Sequence, residues 1–420
     1  MRFNSLPDWL SWQETLHPNA IDLGLARVHA VAQRMQLAQP PFAVITVGGT
    51  NGKGSTVAML EAILRAAGYR VGAYTSPHLL RYNERVRVNG VESNDEQLCA
   101  AFARVDAARG DTSLTYFEFG TLAALDIFSQ ANLDAAVLEV GLGGRLDAVN
   151  IIDADVALVT SVALDHTEWL GADRDSIARE KAGIYRAGKP ALFGEHEAPS
   201  SLQQHALAIG ATLYRYGTDF GARPAPNAWT WWGLGKERHA LVLPALRGPH
   251  QLQNAAGALM ALELLASRVP VTQAQIRSGL MSVELPGRFQ VMPGPITRIY
   301  DVAHNPHGAH ALAQTLRAHV CSGRTFAVCG MLRDKDITAT LAELTALVDA
   351  WYVAPVSSPR TASADALAIA ARAADAGKPV FACSDIAAAQ QKAVSEARTG
   401  DRIVVFGSFY TVAAALPASL

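Results

Sequence analysis

The stretch Gly48-Gly-Thr-Asn-Gly-Lys-Gly-Ser55 most narrows what this chain can fold into. It follows the apolar run Phe42–Val47, which reads as a buried strand, and opens a helical pattern reaching about Ala67. Strand, glycine loop and helix in that order make a cradle for a phosphate. Backbone N–H groups converge there, small side chains let the backbone come close, and a helix N-terminus and a lysine add positive charge. Gly49, Gly52 and Gly54 give the room, Lys53 the charge, and Ser55 or Thr56 a hydroxyl for Mg²⁺. The general phosphate-loop pattern is not met to the letter: Val47 stands at its first glycine position, and Gly54 stands where Ser or Thr should follow the lysine. The strand–loop–helix context outweighs that departure, against the alternative of a plain glycine-rich turn.

The alternation of short apolar runs and helical patterns continues, the signature of an α/β fold around a mainly parallel sheet. Tyr69–Tyr74 reads as a strand ending at Thr75-Ser-Pro-His78, and Ala135–Val140 and Val156–Val162 as two more. The last two lead into the loaded loops Gly141–Asn150 and Asp165–Gly171. Ligands of open α/β sheets collect at the carboxyl ends of strands, so these loops predict one site rather than several. Residues 216–250 change character, with Trp229, Trp231, Trp232 and a hairpin-like pattern through Gly235 to Leu243. A cross-strand aromatic cluster explains those tryptophans better than a base-stacking platform. Helices are expected near 251–267 and 272–283. Leu285-Pro-Gly287 then ends a first domain, residues 1–285, and a smaller doubly wound domain, 286–420, begins. Its strands are expected near Ile296–Asp301, Thr325–Cys329, Ala350–Val353, Pro379–Cys383 and Arg402–Phe406.

Lys and Arg number 36 against 38 Asp and Glu, a net charge of -2, which argues against a general nucleic-acid binder while leaving a local basic pocket open. Cys99, Cys321, Cys329 and Cys383 are far apart and read as reduced residues of a cytoplasmic protein. The N-terminus lacks the pattern of a signal peptide. Ile403 to Leu420 carries no formal charge, but Gly407-Ser408 and Pro417 break it. A buried strand and a short terminal helix account for it better than a membrane span.

Ser76 and Glu139 stand at the ends of strands, and hydroxyl plus carboxylate is hard-oxygen ligation suited to Mg²⁺. Taken alone, each reads better as a helix cap or a solvated loop residue than as a ligand, His166 as an ordinary loop histidine, and Lys181 as a solvated helix lysine. In the second domain His304, His307 and His310 invite a zinc reading, but Pro306 disturbs the spacing and no cysteine or carboxylate completes the set. A loop end presenting Asp301 and His304 to a ligand between domains is the better expectation.

Jointly, ten segments resemble the bifunctional bacterial dihydrofolate synthase/folylpolyglutamate synthase family of the Mur ligase superfamily. They are Ile21–Val28, Gly49-Thr-Asn-Gly-Lys-Gly-Ser55, Thr75-Ser-Pro-His-Leu79, Glu84-Arg-Val-Arg-Val88, Thr115-Tyr-Phe-Glu118, Leu138–Asp147, Asp165-His166, Arg179-Glu-Lys-Ala-Gly183, Leu285-Pro-Gly-Arg-Phe289 and Asp301-Val-Ala-His-Asn-Pro306. They occur in family order over nearly the whole chain.

The resemblance implies an N-terminal P-loop-type Mur ligase ATPase domain that also binds pterin, a C-terminal Rossmann-like glutamate-ligase domain, and an active site in the cleft between them. Carried over by position, Thr50, Asn51, Gly52, Lys53, Gly54 and Ser55 would hold the ATP phosphates, and Asn254, Arg288, Asp301 and His304 would complete the nucleotide site. Ser76 and Glu139 would bind a first Mg²⁺ and His166 a second. Lys53, His166 and Lys181 would be the catalytic residues, with Lys181 carboxylated to a carbamate. Asp22, Leu23, Gly24, Leu25, Thr115, Tyr116, Phe117, Glu118, Leu146, Asp147 and Ala148 align with segments contacting dihydropteroate. Asp147 is the best candidate for pairing with pterin donors, because a carboxylate is an acceptor-only group.

The implied activity is ATP-dependent addition of L-glutamate to dihydropteroate and to folates through an acyl phosphate, by a cytoplasmic monomer that engages neither nucleic acid nor membrane. The rivals are a monofunctional folylpolyglutamate synthase, a peptidoglycan-type Mur ligase, a P-loop ATP switch protein, and a non-catalytic folate binder.

Overall fold

A computed structural model describes residues 2–417. The chain divides into two compact units, residues 1–245 with 252–283 and residues 246–251 with 284–420.

The first unit is built on an eight-stranded sheet of β1 (Ala43–Gly48), β2 (Val71–Tyr74), β3 (Val86–Val88), β4 (Val91–Glu92), β5 (Ala135–Glu139), β6 (Val156–Val159), β7 (Pro190–Phe193) and β8 (Thr212–Arg215). Its order is β4-β3-β2-β5-β1-β6-β7-β8. The strands from β2 to β8 run parallel to their neighbours, and β3 and β4 are antiparallel additions at one edge. Every residue of β1, β2, β5 and β6 is buried, as the apolar runs require of strands covered on both faces. The helix Lys53–Ala66 packs on the sheet and against the helix Gln273–Ser282. Backbones meet at Gly279, where a Cβ would lie 2.5 Å from the Ile63 Cα. The helices Leu6–Leu16, Asp95–Arg109 and Tyr116–Gln130 gather Trp9, Phe102 and Phe119, each wholly buried. Each such ring contributes roughly 2–3 kcal/mol of transfer free energy.

The sheet order has a direct chemical consequence. β2, β5, β1 and β6 are consecutive neighbours and parallel, so the segments leaving their carboxyl ends all emerge along one edge. Those segments hold the glycine loop, Ser76, Glu139 with 141–150, and 165–171. β6 ends at Val159, three residues before the expected Val162, because the next residues turn to brace the glycine loop: Thr160 Oγ1 donates to the Asn51 carbonyl at 2.7 Å.

Within residues 216–250, a three-stranded antiparallel sheet is formed by β9 (Phe220–Pro224), β10 (Trp229–Gly233) and β11 (Lys236–Leu241). Trp229 and Trp231 share its buried face. Their indole N–H groups donate to the Val242 carbonyl at 2.8 Å and to the Ala256 carbonyl at 3.2 Å. These rings are packing residues.

The second unit carries β12 (Gln290–Met292), β13 (Thr297–Tyr300), β14 (Thr325–Cys329), β15 (Ala350–Val353), β16 (Val380–Ala382) and β17 (Arg402–Phe406). The order is β12-β13-β17-β14-β15-β16, parallel throughout except for β12. A short helix, Phe409–Ala415, follows β17; the last three residues of the uncharged terminal stretch lie outside the described residues. Among the described residues no helix is long and apolar enough to cross a membrane.

Candidate active site

The glycine loop is held from the end of β6. Thr50 N donates to the Ser161 carbonyl at 2.8 Å, Asn51 N to Ser161 Oγ at 2.9 Å, and Ala163 N to Thr50 Oγ1 at 3.0 Å. Gly49 must be glycine: its φ is +138°, and a Cβ would stand 2.0 Å from Thr160 Oγ1. Gly52 occupies the cap position of the helix at φ +89°, where a Cβ would meet Asn254 Oδ1 at 2.6 Å. The expected nucleotide residue Asn254, two hundred positions along the chain, therefore sits against the loop. The Lys53 ammonium folds over the same turn, donating to the carbonyls of Gly49 at 3.1 Å and Thr50 at 3.2 Å. Gly54 and Ser55 lie in the first helical turn.

Ser76 and Glu139 are brought together: Ser76 N donates to Glu139 Oε2 at 3.2 Å, and Glu139 is 5% exposed, no solvated loop residue. A buried carboxylate beside a hydroxyl suits Mg²⁺, which takes one or two protein oxygens and fills the remainder with water and phosphate oxygens. Among the described residues no three His, Cys, Asp or Glu side chains gather into a cage that would suit a different, fully enclosed ion. The Ser76 segment is braced by Glu84, whose oxygens accept from the N–H groups of Leu79, Leu80 and Arg81, each at 2.6 Å. Arg87 bridges Thr75 Oγ1 at 3.2 Å and Glu61 at 2.9 Å. Arg85 Nε donates to His78 Nδ1 at 2.9 Å, and burial first and the Arg85 charge second push that imidazole's pKa down to about 4. His166 caps the single-turn helix Thr167–Leu170 at φ +51°, with Asp165 beside it.

Lys181 departs most from its reading as a solvated helix lysine: it is 4% exposed. It sits in the last turn of the helix Arg174–Ala182, against Gly144, where a Cβ would be 2.9 Å from the Lys181 carbonyl. Its neighbour Glu180 pairs instead with the exposed Arg145 at 2.9 Å. Burial draws the Lys181 pKa from 10.5 down to about 7, with the Lys53 charge acting the same way and Asp165 and Asp147 opposing. Burial raises the Asp147 carboxyl to about 7, against N–H groups from Leu142, Val149 and Gly141 and against Lys53. Lys53 from one helix and Asp147 and Asp165 from two loops thus all act on Lys181 in a second helix.

Of the segments expected to meet pterin, Asp22 and Leu23 of 22–25 border a cleft of about 720 Å³, with Pro18, Asn19, Ala20, Ile21 and Trp169 as its other lining residues. Trp169 was not legible as a site residue; three positions after His166, it shows 44% of its surface. Thr115 and Glu118 form the capping box of the helix Tyr116–Gln130, and Glu118 is only 3% exposed. Their polar groups are spent on the protein: Thr115 N and Oγ1 donate to Glu118 Oε2 at 2.8 and 3.0 Å. Phe117 packs at Gly141, where a Cβ would strike its ring. Asp147 caps the turn Ala148–Ile151, accepting from Leu142 N at 2.8 Å and Val149 N at 3.0 Å. Leu146 is half-buried and Ala148 buried. Gly24 has open space where a side chain would be.

In the second unit Asp301 follows β13 and ties down its neighbours, accepting from Phe289 N and Ala303 N, both at 2.8 Å. Burial raises its pKa, opposed by Arg288 and His304 among others. Arg288 lies over the Phe409 ring, 5.0 Å from its centroid. His304 Nδ1 faces the Val302 carbonyl at 2.9 Å, while His310 pairs with Glu343 at 2.8 Å. Pro306 begins the helix Pro306–Ala318, capped by Asn305. His304 and His310 thus have separate partners, and among the described residues no three His, Cys, Asp or Glu side chains gather into a metal site.

Residues 47–262 match the Mur ligase middle domain, and residues 287–409 match the Mur ligase glutamate ligase domain. The chain is 50% identical to the dihydrofolate synthase/folylpolyglutamate synthase of Escherichia coli K12, over 97% of its own length and 94% of that relative's. To the protein of the same description from Mycobacterium tuberculosis it is 34% identical, over 96% and 91%. Among solved structures it is similar to E. coli FolC in complex with DHPP and ADP, with a TM-score of 0.93 and 49% identity over 98% of this chain and 96% of that one. A bifunctional folylpolyglutamate synthase/dihydrofolate synthase with Mn, AMPPNP and L-glutamate bound gives a TM-score of 0.90 and 50% identity over 98% and 97%.

Proposed function

The chain belongs to the dihydrofolate synthase/folylpolyglutamate synthase family of Mur ligases, which are ATP-dependent amide ligases, and we propose that it adds L-glutamate both to dihydropteroate and to folates. The observation that carries this reading is the glycine loop braced from the end of β6 with Lys53 folded over it, beside Ser76 and the buried Glu139.

A carboxylate does not condense with an amine in water, because hydroxide is a poor leaving group. The γ-phosphoryl group of ATP is transferred to the carboxylate of the pterin substrate, releasing ADP. The α-amine of glutamate then attacks the acyl carbon, phosphate departs, and an amide remains. Lys53 and the N–H groups opening the helix Lys53–Ala66 stabilise charge on the transferring phosphoryl group. Ser76, Glu139 and His166 would hold Mg²⁺ at two sites, and the bound ion supplies charge neutralisation of the phosphate oxygens. Asn254, Arg288, Asp301 and His304 are assigned to the nucleotide on the strength of the resemblance, and Asp22–Leu25, Thr115–Glu118 and Leu146–Ala148 to the pterin. For Thr115 and Glu118 the role is to shape the wall rather than to bond the ligand, since each already satisfies the other.

Lys181 is proposed to be carboxylated. Only a neutral amine attacks CO₂, and a pKa of about 7 leaves roughly half the side chains neutral at pH 7. Burial and the Lys53 charge both disfavour an ammonium there. A carbamate exchanges that unwanted cation for an anion facing Lys53.

The test is glutamate-dependent ADP formation with dihydropteroate and tetrahydrofolate offered separately. Turnover with each is expected. Turnover with tetrahydrofolate alone would make the chain a monofunctional folylpolyglutamate synthase, and ADP release without any pterin would point to a switch protein. A single monomeric species by light scattering is the expected state in solution.

A further inference from the structure

The loop between the helices Leu6–Leu16 and Ala26–Arg34 lines the 720 Å³ cleft, yet residues 17–24 belong to no helix or strand. Its shape rests on side chains, and one of them dominates. Arg27 Nη1 donates to Asp22 Oδ2 at 2.8 Å and Nη2 to the Asp22 carbonyl at 2.6 Å. Its Nε reaches both oxygens of Glu118, at 3.2 and 3.3 Å. Asp22 is further tied to His17 Nε2 at 3.3 Å, and His17 Nδ1 takes a bond from Asn19 N at 3.1 Å. The chain of contacts runs from the loop through one guanidinium to a buried carboxylate on the rigid helix Tyr116–Gln130.

We propose that Arg27 is a positioning residue for the pterin substrate: it fixes the Pro18–Leu23 wall of the cleft without touching the ligand. The inference rests on the reading that this cleft takes the pterin. A planar fork is what the geometry needs, since three N–H directions serve a loop carboxylate, a loop carbonyl and a helix carboxylate at once. A lysine keeps the charge against Glu118 but cannot span all three.

Full-length Arg27→Lys and Arg27→Gln separate positioning from folding. The first preserves a cation for Glu118, and the second keeps an N–H donor for that carboxylate without the guanidinium fork. With ATP and glutamate saturating, both should raise the KM for dihydropteroate about tenfold or more, while the KM for ATP stays within about twofold and kcat within about threefold. The thermal midpoint of each should lie within a few degrees of the parent. A dihydropteroate KM like the parent's in either variant overturns the proposal. So does a parallel rise in the ATP and dihydropteroate KM values, which would mean general loosening. If the parent itself turned over ATP without dihydropteroate, the function reading would fail whatever Arg27 did.

Discussion

Lys53 and Lys181 act on one another inside the first unit: the Lys53 ammonium adds to burial in drawing the Lys181 amine down to about pH 7. A lysine so placed is poor as a cation and good as a nucleophile toward CO₂. Replacing it with alanine should lower kcat by at least about a hundredfold with the fold retained. A short acid such as acetate, added in solution, should restore part of the rate by supplying the missing carboxylate. Depleting bicarbonate should lower the activity of the parent. Intact mass and crystals grown with bicarbonate that show only a free amine would remove the carbamate from the scheme.

The Lys53 ammonium donates to the Gly49 and Thr50 carbonyls, which holds its charge over the turn proposed to cradle phosphate. Lys53→Ala should cut kcat by about a hundredfold to ten-thousandfold, by analogy with losing a preorganised charge at a developing oxyanion. Its thermal midpoint should stay close to the parent's. An unchanged kcat in the purified variant would end the phosphate-cradle assignment.

Glu139→Gln keeps an oxygen for the Ser76 N–H and removes the negative charge. The Mg²⁺ concentration for half-maximal ADP formation should rise roughly tenfold or more, as losing a hard anionic ligand predicts. A magnesium titration that superimposes on the parent's would place the ion elsewhere.

What could be read from the sequence followed from local chemistry. β14, β15 and β17 stand where the expected runs begin and end, because a fully buried parallel strand reads as a near-continuous apolar run, here interrupted only by Thr325 and Arg402 at the strand starts. β3 and β4 escaped because Val86-Arg-Val88 and Val91-Glu92 are too short to show a period, and β8 because its four residues are partly exposed. The glycine loop was legible since glycine at φ +138° and +89° has no substitute. Lys181 was not, because Arg179-Glu-Lys181 is charged at every position, and which of the three is buried is decided by how the helix packs in the fold. Trp169 and Arg27 belong to the same class: their partners, the Pro18–Leu23 loop and Glu118, are defined by the fold rather than by neighbours in the chain.

Asp147 offers a test in pH. Burial lifts its carboxyl from 3.8 to about 7 despite the backbone N–H groups and Lys53 that favour the anion. Because the folded-state pKa lies above the unfolded one, the proton favours folding. That contribution is complete below pH 4 and lost as pH rises through 7. Pterin binding runs the other way, since ring N–H donors pair with the ionised carboxylate and oppose the protonated acid. The dihydropteroate KM should therefore fall as pH is raised from 6 to 8 with ATP saturating. Asp147→Asn, an amide that cannot ionise, should give a higher KM that no longer changes over this range. A slope of the same size in the variant would assign the titration to another group and take Asp147 out of pterin recognition.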